Sequence, residues 1–261
     1  MSWRTYVWLA LALSFWGCRA LPPPAPPPAF TSGQELLVKL QTGKPQVQSF
    51  EARGRLTLLS PQQNYSGTSL IKSRLPATVR ADVLDFLGRS VLNFYTNGRE
   101  VEVLSPKEGK LYRGPATPRN LAAFIPPAVT LPQALRLMSG DLPLSSGQPS
   151  RWAYDQAQGR YLLEWRNSAG GLQERLWLEA EGLKPVQEEW FGPDGNLRFT
   201  AEFSDFGRLS PGLPGQVVLK TRQPDAELRL VYREMLLNPS LQDSDLVLPR
   251  SQSITEVPLK P

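Results

Sequence analysis

The sequence predicts a mainly β, α+β domain: a large antiparallel sheet with a few short helices packed on it. Three observations predict it. Apolar and polar residues alternate at period two in many short runs. Glycine-containing turn dipeptides separate those runs. Two short stretches with helical spacing and capping signals interrupt the strands in the middle of the chain.

The chain opens on a targeting element, residues 1–17. Arg4 gives a basic start, and Tyr6 to Trp16 is apolar except for Ser14. That run is too short for a bilayer, which needs roughly 20 such residues. It ends at Gly17-Cys18, and Cys18 is the only cysteine. Two readings compete. In one, Gly17-Cys18 resembles the lipobox of bacterial lipoproteins, with Phe15 and Trp16 standing where leucine and a small residue are usual. Cys18 then becomes the acylated N-terminus, and several acyl chains anchor firmly because each buried CH2 adds about 0.8 kcal/mol. In the other, Cys18-Arg19-Ala20 is a small-x-small cleavage site and the chain is released. Residues 18–31 form a linker. Leu21 to Ala29 holds six prolines in nine residues, a polyproline II spacer of roughly 28 Å at ~3.1 Å per residue. That stand-off suits a domain held at a membrane. Residues 32–261 read as one domain.

Ser32 to Thr42 predicts a first helix, with Leu36, Leu37 and Leu40 on one face. From Ser49 the period is two. Phe50, Ala52, Gly54, Leu56 and Leu58 alternate with Glu51, Arg53, Arg55 and Thr57. The pattern returns at Val79, Ala81 and Val83, at Leu197, Phe199, Ala201 and Phe203, and at Leu228, Leu230 and Tyr232. Asn97-Gly98, Gly170-Gly171 and Asp194-Gly195 predict two-residue type I′ hairpins. About ten strands result, joined in a meander. In the middle, Thr117 caps a helix with Pro118 at its first position, carrying Leu121, Phe124 and Ile125 as far as Pro126-Pro127. Thr130 and Gln133 form a capping box for a second helix, with Leu131, Leu135 and Met138 on its face and Gly140 at its end. These apolar faces need burial, and the hollow of the sheet is the place for it. The tail from Asn238 has no sustained period and is expected to cross an edge of the sheet or pack under it.

Absences narrow the chemistry. The chain has no histidine. That removes the commonest general base and metal ligand, and every Ser-His or Cys-His pair. With Cys18 acylated or removed, no thiol is left for disulfide, redox or zinc chemistry. No catalytic residue, metal site or cofactor is expected. A Ser-Lys or carboxylate hydrolase finds no supporting motif. The net charge is +5, or +4 without Arg4, and no run of five or six basic residues occurs. Nucleic acid is therefore a poor partner, and weak attraction to anionic headgroups a better one.

Other features read as ordinary structure. Glu188-Glu189 is the densest carboxylate pair, but neighbours on a strand face opposite ways and read as solvated surface. Asp243-Ser244-Asp245 offers too few ligands for calcium and reads as an Asx-turn. Asn64-Tyr65-Ser66 fits a glycosylation sequon but carries no meaning beside a bacterial-type lipobox. Trp152, Trp165, Trp177 and Trp190 fall in successive late strands, either as sheet packing or as lining for an apolar ligand. Asp85-Phe86-Leu87-Gly88 is different. It is a turn that carries two large apolar residues, with Phe86 evenly balanced between core and surface and Leu87 the better exposed tip.

Four stretches together resemble the LolA/LolB-like superfamily of lipoprotein carriers and receptors, and its LolB-like lipoprotein members most. They are Phe50-x-Ala52-x-Gly54-Arg55-Leu56, the Asp85–Gly88 loop, Leu135 to Pro143 with its Gly140 and Pro143, and a tail running from Asn238-Pro239 to Pro249. The resemblance implies an open half-barrel of about eleven antiparallel strands with helices capping an apolar cavity. It implies that the cavity takes acyl chains of lipoproteins or lipids. Leu87 matches the family's exposed loop leucine, and Phe86 replaces a proline there. Arg19 rather than aspartate after Cys18 implies the outer membrane, facing the periplasm. The implied partners are the inner leaflet of that membrane and a periplasmic carrier protein. The inward pattern nominates Phe50, Leu56, Val83, Leu121, Phe124, Leu135, Met138, Trp165, Phe199 and Phe203 as cavity lining. A carrier needs apolar burial at ~25 cal/mol per Å2 and no nucleophile, which agrees with the absences. A scaffold lipoprotein with a filled interior is the competing function.

Overall fold

The computed structural model describes residues 30–42, 46–61, 64–249 and 254–260. Cys18 and the proline tract lie outside the described residues. Helix α1 (Gly33–Gln41) starts at Ser32, whose side chain accepts the Glu35 N–H, and it buries Leu36, Leu37 and Leu40. Six strands follow: β1 (Ser49–Leu59), β2 (Asn64–Arg74), β3 (Thr78–Leu84), β4 (Ser90–Thr96), β5 (Glu100–Ser105) and β6 (Lys110–Pro115). Helices α2 (Pro118–Leu121) and α3 (Leu131–Met138) come next. The chain then makes β7 (Arg151–Asp155), β8 (Arg160–Arg166), β9 (Leu172–Glu179), β10 (Pro185–Phe191), β11 (Leu197–Ser204), β12 (Gln216–Arg222) and β13 (Asp225–Leu237). Helix α4 (Asp243–Leu246) and strand β14 (Thr255–Pro258) end it.

Among the described residues all fourteen strands form one open sheet, in the order β14-β6-β5-β4-β3-β2-β1-β13-β12-β11-β10-β9-β8-β7. Two meanders, β1–β6 and β7–β13, meet at the β1–β13 seam in its middle. Every pairing is antiparallel except β14 on β6. The strand count exceeds the expected ten or eleven. Edge strands such as β7 and β14 are half-exposed on both faces, so their residues do not alternate in hydrophobicity.

Two devices fix the seam. The register shifts between Arg53 and Gly54, and a Cβ at Gly54 would collide with the Val231 carbonyl, so only glycine fits that close approach. Asn238 ends β13 at φ +55°, where its Oδ1 accepts the Gln48 N–H at 2.8 Å and its Nδ2 donates to the Gln46 carbonyl at 3.0 Å.

The hairpins stand where the glycines predicted them, but the loops are longer. Gly98, Gly170 and Gly195 alone of their dipeptides have positive φ, in loops of three or five residues between strands. A hydrogen-bonded turn followed by one left-handed glycine replaces the type I′ pair; the Gly195 N–H, for example, donates to the Gly192 carbonyl at 2.9 Å. The helix predicted to carry Phe124 and Ile125 is also shorter. It stops at Leu121, and turns lead to Pro126, because a residue before proline avoids the α region. The tail takes up the outer face. There Asp245 pairs with Lys72 at 3.0 Å and Asp243 with Arg74 at 2.8 Å, while Leu248 packs with Leu104 and Leu111.

Candidate functional site

The inner face of the first meander holds an apolar cavity. Leu56 and Leu58 of β1, Ile71 of β2, Val79, Ala81 and Val83 of β3, and Leu92 and Phe94 of β4 form its wall. Strand alternation puts these side chains on one face in register: Ala81 lies opposite Ile71 and Phe94, and Val83 opposite Leu92. Phe124, Ile125, Leu135 and Met138, from the segment between β6 and β7, close it. The Phe94 and Phe124 rings stand 4.5 Å apart. Among the described lining residues, Tyr65 alone brings a hydroxyl.

The cavity is small, about 60 Å3. That is room for a few waters at about 10–15 Å3 each, well below the roughly 300–1,000 Å3 of a ligand pocket. The closing segment occupies the rest of the hollow. It is built to stay there: Thr130 and Gln133 form the capping box of α3. The buried Tyr232 hydroxyl donates to the Met138 carbonyl at 2.7 Å, pinning the end of α3 to β13. Burial pushes the Tyr232 hydroxyl pKa upward, so it stays a donor.

Of the nominated lining residues, Leu56, Val83, Phe124, Leu135 and Met138 line this cavity. Phe50, Trp165, Phe199 and Phe203 do not; they are buried in the packed core. Trp165 and Phe199 lie on the second meander, where Phe199 stacks on Trp190 at 6.0 Å and the Trp165 indole donates to the Gly147 carbonyl. Leu121 lines a separate pocket of about 290 Å3 beside Ala77 and Gly98. The sequence did not mark Leu58, Ile71, Val79, Leu92 and Phe94 as lining; strand pairing through β2 and β4 assembles them.

The β3–β4 turn presents the second feature. Phe86 is 93% exposed and Leu87 62%. The turn itself is tightly held. The Asp85 carboxylate accepts the N–H groups of Leu87 and Arg89 at 2.9 and 3.0 Å, and Arg89 Nε donates to it at 2.8 Å. Those hydrogen bonds, the Arg89 N–H above all, hold the Asp85 carboxyl below its ordinary pKa. Gly88 turns the chain at φ +78°. The same hairpin supplies Val83 and Leu92 to the cavity wall, so the apolar tip stands at that end of the cavity.

One sequence reading is overturned. Glu188 is not solvated surface. It is fully buried, as is Glu174 on the neighbouring strand. Alternation sends Glu188 inward and Glu189 outward, and β10 lies within the sheet, so the inward residue is covered.

No family model and no curated protein matches the chain. Solved structures do match it. A Vibrio parahaemolyticus domain named for outer membrane lipoprotein sorting aligns with TM-score 0.50 and 13% identity over 82% of this chain and 95% of that one. A DUF1329 family protein from Desulfovibrio piger aligns with TM-score 0.52 and 11% identity, again over 82% and 95%. The chain shares its fold with these two proteins. A LolA superfamily protein from Nitrosomonas europaea is also similar, with TM-score 0.49 and 15% identity over 84% of this chain and 99% of that one. In the fold shared with the Vibrio and Desulfovibrio proteins, the apolar cavity of this chain lies between the sheet and the α2–α3 segment.

Proposed function

We propose that the chain is an outer-membrane lipoprotein, anchored through Cys18 and facing the periplasm, that takes acyl chains of lipoproteins or lipids into its apolar cavity. It acts in their transfer or insertion, without catalysis. The cavity carries the reading: its wall is apolar except for the Tyr65 hydroxyl, and the segment that closes it presents an apolar face of the same chemistry. An acyl chain offers the wall the same apolar chemistry as that face, each CH2 buried being worth ~0.8 kcal/mol against the face it displaces. The Phe86–Leu87 tip is the part that meets the bilayer or the cargo. The name of the Vibrio neighbour supports this reading by analogy of fold.

Titration with a fluorescent fatty-acyl probe tests it. Saturable binding that Val83→Trp weakens at least about tenfold, or 1.4 kcal/mol, is the expected result. Binding no stronger than to a protein without a cavity would dismiss it. The small cavity volume favours a second reading, a scaffold lipoprotein with a filled interior. Stoichiometric capture of an envelope protein, together with no probe binding, would establish that one instead.

A further inference from the structure

Glu174 and Glu188 are the least expected residues in the interior. Both are 0% exposed. Glu188 pairs with Leu176 across β9 and β10, and Trp190 with Glu174, so the two carboxyls lie diagonally on one face, within reach of each other. The neighbours on that face are apolar: Trp165 opposite Glu174, and Ala201 opposite Glu188. Each carboxyl has one hydrogen bond. The Ser145 N–H donates to Glu174 Oε2 at 2.7 Å, and the Trp190 indole donates to Glu188 Oε1 at 2.6 Å. Glu174 Oε1 and Glu188 Oε2 are buried with no hydrogen-bond partner among the described residues. The charged groups facing the pair come from the end of α3 and the residues after it. They are Arg136 and Asp141, which are paired with each other at 2.9 Å. Among the described residues, no cation forms an ion pair with either glutamate.

Two buried carboxylates without a counter-ion cannot both ionise at a tolerable cost. We propose that Glu174 and Glu188 are a proton-dependent clasp: protonated, they hold the Ser139–Ser145 segment, and with it the end of α3, against β9 and β10, and deprotonation loosens that hold. The clasp stands on the burial of both acids on one face, which makes their joint ionisation costly. The Ser145 and Trp190 N–H bonds favour the charged form and offset that cost only in part, and none of this depends on whether the cavity takes an acyl chain. Burial pushes Glu174 up to about 7. Burial, and then the charge of Glu174, push Glu188 well above the ordinary carboxyl value. The sign follows by linkage. The folded state holds more protons than the unfolded chain, so the stabilisation is complete below the ordinary value of 4.5 and is lost as pH rises toward about 7.

Thermal unfolding of the full chain from pH 5 to 8 tests this, with Glu174→Gln and Glu188→Gln beside the parent. The amide keeps the shape of a protonated carboxyl and cannot ionise. The parent midpoint should fall by roughly 3–8 °C over that range, and each variant should flatten the fall and melt above the parent at pH 8. Hydrogen exchange, corrected for intrinsic rates, should show protection of residues 139–145 dropping about tenfold in the parent alone. Variants with the slope of the parent would overturn the clasp. So would parent protection at 139–145 that does not change with pH, a result that needs no variant to fold.

Discussion

Tyr232 shows how much rests on a single atom. Its ring is part of the core, and its hydroxyl is the partner of the Met138 carbonyl at the end of α3. Tyr232→Phe keeps the ring and leaves that carbonyl unpaired in the interior. We expect a loss of about 1–3 kcal/mol in unfolding free energy, read from the shift of a urea midpoint at unchanged slope. Glu188 carries the opposite lesson. Its side chain lies inward because strand period two allows nothing else for one member of an adjacent pair. The letters Glu188-Glu189 alone do not say which member turns in. That depends on which face of the sheet is covered, and the chain after α3, far off in sequence, reaches that face where the Ser145 N–H meets Glu174 on the adjacent β9.

At the scale of elements, the β3–β4 turn is rigid where a loop tip is usually loose, because Asp85 and Arg89 brace it from inside. Phe86→Asp with Leu87→Asp should therefore leave the fold unchanged and cut binding to anionic vesicles at least about tenfold in a flotation assay. Full burial of each original side chain is worth about 1.5–3 kcal/mol. Unchanged flotation would remove the tip from the membrane reading. The helices were legible from the spacing of Leu36, Leu37 and Leu40 and from the caps at Thr117 and the Thr130–Gln133 box. The wet-and-dry strands were equally plain. Edge strands were not, since a strand exposed on both faces leaves no hydrophobic period to read. The cavity was half legible. Leu56, Val83 and Leu135 show their inward facing locally. Whether Phe199 or Phe94 meets empty space depends on where the α2–α3 segment comes to lie, which no window of residues encodes.

At the scale of the whole molecule, the β1–β13 seam makes one cooperative body of two meanders. All four described tryptophans, Trp152, Trp165, Trp177 and Trp190, belong to the second meander. Indole fluorescence therefore reports that half, and far-UV circular dichroism both. Their urea transitions should coincide, and an earlier or later fluorescence transition would mean that the halves melt separately. The route from β6 to β7 has a consequence of its own. β7 forms one rim of the sheet, and β6 lies next to the other, beside β14. The polypeptide joining them thus bridges the bowl like a bucket handle, sewn down on both sides. A handle fixed at two ends can arch but cannot swing aside like a trapdoor, so a guest molecule would have to thread in lengthwise beneath it.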